Sequence, residues 1–174
     1  MPVRPDRAAS EDAAKDAALR MLGRAPRTER EIRDRLLTRG FVPHAVEGAL
    51  ERLRRVSLLD DRAFVRAYLH SEVPRRPQGR RLLVATLKRR GVPAVLIEEL
   101  DQLLGEDPDL VERALDREEG RARAALAQIA RRAGSTRRAG DPADARRMMG
   151  ALVRRGFDWG LVRDLIPAGT ETTE

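Results

Sequence analysis

Between Val73 and Ile97 the chain carries Arg75, Arg76, Arg80, Arg81, Lys88, Arg89 and Arg90, and no acid. Guanidinium and ammonium groups in such a run bind phosphates or carboxylates through charge and directed N–H donors. Lys88, Arg89 and Arg90 precede a glycine, where a helix ends and cations oppose the negative end of its dipole. A solvated surface with dipole-complementing ends accounts for those three. It accounts poorly for Arg75, Arg76, Arg80 and Arg81, which stand where a helix begins and cations are disfavoured. On a helical wheel Arg81, Lys88 and Arg89 cluster opposite Leu83 and Leu87. Arg75, Arg76, Arg80, Arg81, Lys88 and Arg89 are therefore the candidate contact face for a polyanionic partner: nucleic acid or an acidic protein surface.

Other chemistry is sparse. His44 falls at a helix start and His70 late in a helix, and neither has a carboxylate and nucleophile arranged beside it in the sequence, so both read as surface or packing residues. Asp60-Asp61 could be a metal pair, but a helix N-cap followed by a first-turn acid is the simpler reading. No phosphate-cradling glycine motif occurs, and there is no cysteine for a disulfide, a thiolate metal site or a nucleophile. No catalytic residue, cofactor or metal is expected. Aromatic residues are only 3% of the chain, too few for a base-stacking platform. The N-terminus lacks the apolar stretch of a secretory signal, and the absence of cysteine suits a reducing cytosol.

The elements that carry these residues are written as a repeat. LLTRGF at 36–41, LKRRGV at 87–92 and LVRRGF at 152–157 align on Gly40, Gly91 and Gly156. Four residues before each glycine stand Leu36, Leu87 and Leu152; eight before stand Ile32, Leu83 and Met148. That spacing is the apolar stripe of a helix ending at the glycine. One, six and nine residues later come Phe41, Val46 and Ala49, then Val92, Ile97 and Leu100, then Phe157, Val162 and Leu165. These form the buried face of a second helix. Pro43, Pro93 and Asp158 are good helix openers, and Thr28-Glu29-Arg30-Glu31 reads as a capping box.

A further helix precedes each pair, over residues 10–24, about 60–73 and about 108–132. The fold expected is all-α, three tandem three-helix repeats, with limits at 13–57, 58–105 and 106–167. Disordered tails are expected over 1–12 and 168–174. A helix–turn–helix invites a DNA-reading interpretation. Charge argues against it: the second helix of the middle unit, PAVLIEELDQLL, carries Glu98, Glu99 and Asp101 and no base.

The stretch from Thr28-Glu29-Arg30-Glu31-Ile32 through LLTRGF, then AVEGALERL and SLLDDRAFVRAYL, resembles the RecX family, bacterial regulators of the RecA recombinase. PQGRRLLVATLKRRGV resembles its middle unit. The resemblance is strongest over about 14–104 and rests on the repeat pattern beyond. It implies an elongated, curved arrangement of the three repeats. It implies a monomer that lies in the groove of the RecA–single-stranded-DNA filament, needs no cofactor, and reduces ATP hydrolysis, strand exchange and coprotease activity. A helical nucleic-acid-binding protein acting without RecA, or an adaptor for an acidic protein, would use the same cationic face.

Overall fold

The computed structural model describes residues 7–133 and 142–166. Among them every regular element is a helix: α1 (Glu11–Leu22), α2 (Glu29–Thr38), α3 (Pro43–Arg55), α4 (Asp61–Arg75), α5 (Arg80–Arg89), α6 (Ala94–Glu98), α7 (Leu100–Gly105), α8 (Pro108–Glu112), α9 (Glu118–Ala133), α10 (Pro142–Arg154) and α11 (Trp159–Leu165). Residues 1–6 of the tail expected over 1–12, and the whole tail expected over 168–174, lie outside the described residues. α1 begins at Glu11, inside the stretch assigned to the first tail, because the Ser10 side chain accepts from the Ala13 N–H and caps it.

The repeated phrase is one turn built three times. Gly40, Gly91 and Gly156 sit at φ 92°, 81° and 82°, the left-handed region that glycine enters without steric cost. In each turn the residue after the glycine donates its N–H back across the turn: Phe41 to the Leu36 carbonyl, Val92 to Leu87 and Phe157 to Leu152. This satisfies carbonyls that the helix end leaves open and angles the next helix away. The apolar stripe follows: Leu36, Leu87 and Leu152 are fully buried, with Phe41, Val92 and Phe157 buried beside the turn. In the last copy the stripe slips by one position, so that Met149 and Ile166 are buried where Met148 and Leu165 were expected.

The chain forms two compact units. One takes the residues up to Val65 and Leu87–Ile97. Its core joins Ala13, Ala14, Ala17 and Ala18 of α1 to Ile32 and Leu36 of α2 and to Val46, Ala49, Leu50 and Leu53 of α3. The run of alanines lets α1 approach α3 closely. The other unit takes Arg66–Thr86 and the residues from Glu98 on. There Ala122 and Ala125 of α9 pack with Met149, Leu152, Phe157 and Val162.

Two of the expected helices are interrupted. The middle unit's second helix breaks at Glu99, where ψ opens to 3°. The helix expected over 108–132 is two, α8 and α9, divided by Ala114 in the left-handed region at φ 52°. Glycine would suit that position better, so periodicity gave no sign of the break. A Cβ on Gly120 would collide with the Ala114 carbonyl, so the turn folds back onto the first turn of α9. Arg121 then receives it: its guanidinium donates to the carbonyls of Leu115 (2.9 Å) and Asp116 (2.7 Å).

Candidate functional site

The basic segment is held from beneath. Arg121 is 1% exposed. Its Nε donates to the Gln78 carbonyl at 3.0 Å, which fixes the turn linking α4 to α5. The Gly79 N–H donates to the Arg155 carbonyl at 2.9 Å, and a Cβ on Gly79 would overlap the backbone of Gly156. Gln128 of α9 reaches the Arg75 carbonyl at 3.3 Å. Burial pushes the Arg121 guanidinium down from its ordinary value, while Glu118, Asp101 and Asp116 counter that shift. The link between α4 and α5 is thus anchored through its backbone, which leaves the flanking side chains outside it. Arg75 and Arg76 do not stand at a helix start as expected: Arg75 closes the last turn of α4, where a cation suits the dipole, and only Arg80 and Arg81 open α5.

Cations at the start of α5 have a local explanation that the sequence did not show. The Arg80 N–H donates to Glu118 Oε1 at 3.0 Å, so an acid from the first turn of α9 stands at the positive end of α5. Arg80 also departs from the expectation of an uncommitted cation, since its Nε lies 3.1 Å from Asp101 Oδ2. Both partners are well exposed, so the pair is weak and exchangeable. Arg75, Arg76, Arg81, Lys88 and Arg89 are exposed. No carboxylate pairs with any of the five among the described residues. Arg75, Arg76, Arg80 and Arg81 belong to one unit, Lys88 and Arg89 to the other.

Arg132 and Arg155 were missed by sequence reasoning. Burial lowers the Arg155 guanidinium, and the charges of Arg132 and Arg76 lower it further. The signal was present: Arg155 stands directly before Gly156, as Arg90 does before Gly91.

Arg90 itself is committed elsewhere. Its Nε and Nη2 donate to Glu31 at 2.7 and 3.0 Å, and its guanidinium lies 4.4 Å over the Phe64 ring. The Thr28 hydroxyl, fully buried, donates to the Arg90 carbonyl at 2.6 Å. The same hydroxyl accepts from the Glu31 N–H and completes the capping box. Asp61 accepts from the Glu29 N–H at 2.9 Å, so the acid read as a first-turn residue of α4 also caps α2. Asp60 takes the N–H groups of Arg62 and Ala63, a cap as expected. Asp60 and Asp61 thus cap two helices, α4 and α2.

His70 does have acids near it in space. Its Nδ1 lies 3.0 Å from Asp107 Oδ2 and 3.9 Å from Asp109 Oδ2. Asp107 uses its other oxygen to cap α8. The group ties α4 to the start of α8.

Three-helix modules hinged on left-handed glycines, with a braced cationic turn and no strand among the described residues, define an all-helical repeat protein with a surface suited to anions. Family models for RecX match three times: its first three-helix domain at residues 14–53, its second at 60–100 and its third at 119–166. The regulatory protein RecX of Thermobifida fusca (strain YX) is 35% identical over 158 residues, covering 88% of this chain and 76% of that one. That of Halorhodospira halophila is 35% identical over 169 residues, covering 95% and 94%. The crystal structure of RecX from Lactobacillus salivarius shares the fold at a TM-score of 0.66 and 16% identity, over 90% of this chain and 94% of that one. The chain belongs to the RecX family of regulatory proteins.

Proposed function

We propose that this protein is a non-enzymatic cytoplasmic regulator of RecA. It binds as a monomer in the groove of the RecA–single-stranded-DNA filament and lowers ATP hydrolysis, strand exchange and coprotease activity. The modules, taken as 13–57, 58–105 and 106–167, would contact successive protomers. The observation that carries the reading beyond family membership is the set of exposed cations with no carboxylate partner among the described residues: Arg75, Arg76, Arg81, Lys88 and Arg89. Arginines elsewhere are often bound, such as Arg33 to Glu29 and Glu47, and Arg54 to Glu29 and Glu51. Cations left over beside paired ones suit a polyanionic surface such as nucleoprotein.

The test is RecA-catalysed ATP hydrolysis on single-stranded DNA, titrated with this protein. Inhibition is expected, and an Arg75→Glu/Arg76→Glu/Arg81→Glu variant should need about tenfold or more protein for the same effect. Arg80→Glu should cost less than Arg81→Glu, because Arg80 is partly committed to Asp101. Unchanged hydrolysis and strand exchange over a wide range of ratios would remove the reading. Tight binding to bare DNA without any filament response would favour a nucleic-acid-binding protein acting without RecA.

A further inference from the structure

The unit built on α1–α3 has a groove that its own core does not fill. Ser57 turns the chain through the left-handed region at φ 55°, and the residues on either side of it face solvent. Val56 is 61% exposed and Leu58 55%, and Leu19 of α1, at 37%, lines the same groove. The groove has a volume of about 350 Å³, with Leu53 in its lining. It continues past Leu19 and Leu58 towards Leu22 and Pro26. Aliphatic side chains gathered along one groove of a highly charged protein are suited to a contact.

Charge says what kind of contact. The polar residues lining the groove are Lys15, Arg52 and Arg55, and no acid lines it. Among the described residues the three cations have two carboxylates between them. Asp12 serves both Arg52 (2.7 Å) and Lys15 (3.9 Å). Glu51 serves Arg55 at 3.6 Å and is already bound by Arg54 at 2.8 Å. The rim is thus positive in surplus, and its exposed pairs are cheap to exchange. Leu and Val side chains offer a base no hydrogen bond, and no aromatic ring lines the groove for stacking. A polypeptide whose aliphatic side chains enter the strip while flanking carboxylates meet the rim satisfies both features.

We infer that the Leu19–Val56–Leu58 groove docks an acidic, apolar-anchored segment of a partner protein. This rests on the reading above, in which that partner is the protein component of the filament. The groove supplies a protein-directed contact, distinct from the cationic residues proposed above for a polyanionic surface.

The chain has no cysteine, so Leu58→Cys offers a single position for an environment-sensitive dye. The dye emission should shift to the blue on adding RecA–single-stranded-DNA filaments and stay unchanged with single-stranded DNA alone. A Val56→Ser/Leu58→Ser variant should melt as wild type, since both side chains are exposed, and bind bare DNA as wild type. It should require about tenfold or more protein to inhibit RecA ATP hydrolysis, the loss expected from two buried aliphatic contacts. Inhibition by the variant equal to wild type, or no dye response to filaments that wild type inhibits, overturns the inference and leaves the proposed function standing. A parallel loss of bare-DNA affinity assigns the groove to nucleic acid and also overturns it. If wild type itself does not inhibit, the proposed function fails, and the groove's assignment with it.

Discussion

At the scale of single residues, the most committed side chains are charged ones that never reach a partner molecule. Arg90 belongs by sequence to the cationic run, yet Glu31 and the Phe64 ring hold it. Burial alone would push the Glu31 carboxyl up; the Arg90 guanidinium reverses this, and the carboxyl ends below its ordinary 4.5. A carboxyl held low in the folded protein adds stability that is full above its unfolded value and lost as pH falls through the folded one. Asp61 acts in the opposite sense: burial raises its carboxyl, so its protonation on acidification favours the folded chain. A Glu31→Gln variant should therefore start less stable at neutral pH but lose less stability than wild type as pH falls below 4.5. Urea unfolding midpoints across that range check this; parallel curves for the two proteins would deny Glu31 the role.

At the scale of elements, the turn between α4 and α5 is placed by contacts from far along the chain. Gly79 has no room for a Cβ against Gly156, and the Arg121 guanidinium is closed in by the carbonyls of Gln78, Leu115 and Asp116. Arg121→Met keeps much of the volume but leaves three carbonyls without their donor, at a cost of about 2–4 kcal/mol. Gly79→Ala forces backbone against backbone and should cost a similar ~2–4 kcal/mol. Chemical denaturation measures both. Gly105→Ala, where a Cβ would meet nothing within 4 Å, is the control expected to unfold like wild type. The sequence offered little warning of this brace. An arginine in a helix of alternating charge reads as solvated, and only the left-handed turn at Ala114 brings carbonyls round to meet it.

At the scale of the whole molecule, the net charge of +7 and the carboxylate-free stretch from Val73 to Ile97 set how the protein responds to salt. Contacts to single-stranded nucleic acid weaken by about 0.7 of a log unit per phosphate for each log unit of salt. Between 50 and 200 mM salt, on filaments that stay assembled, half-inhibition of RecA should need about tenfold or more protein. Docking in the apolar groove should change less, because the aliphatic part of that contact is not screened and only its rim pairs are. Charge-reversed and Val56→Ser/Leu58→Ser variants should accordingly differ in salt dependence, with the flatter curve belonging to the charge-reversed protein.

The sequence by itself determined the helical fold, its three glycine turns and most of its buried stripe. Those features are local: a glycine at positive φ, leucines four and eight residues before it, a capping box, and an apolar residue after the turn. It also placed the cationic segment, because a run of 25 residues without an acid is visible in one dimension. Only the tertiary structure decided which cations are spoken for. Arg90 is taken by Glu31, 59 residues away, and Arg80 by Asp101, 21 residues away. It alone brought the charges of Arg132 and Arg76 to bear on Arg155, and it alone left Val56 and Leu58 open to solvent. Spacing along a helix predicts which residues share a face, but the partner of a charge and the cover over an apolar side chain depend on distant segments that no local pattern encodes.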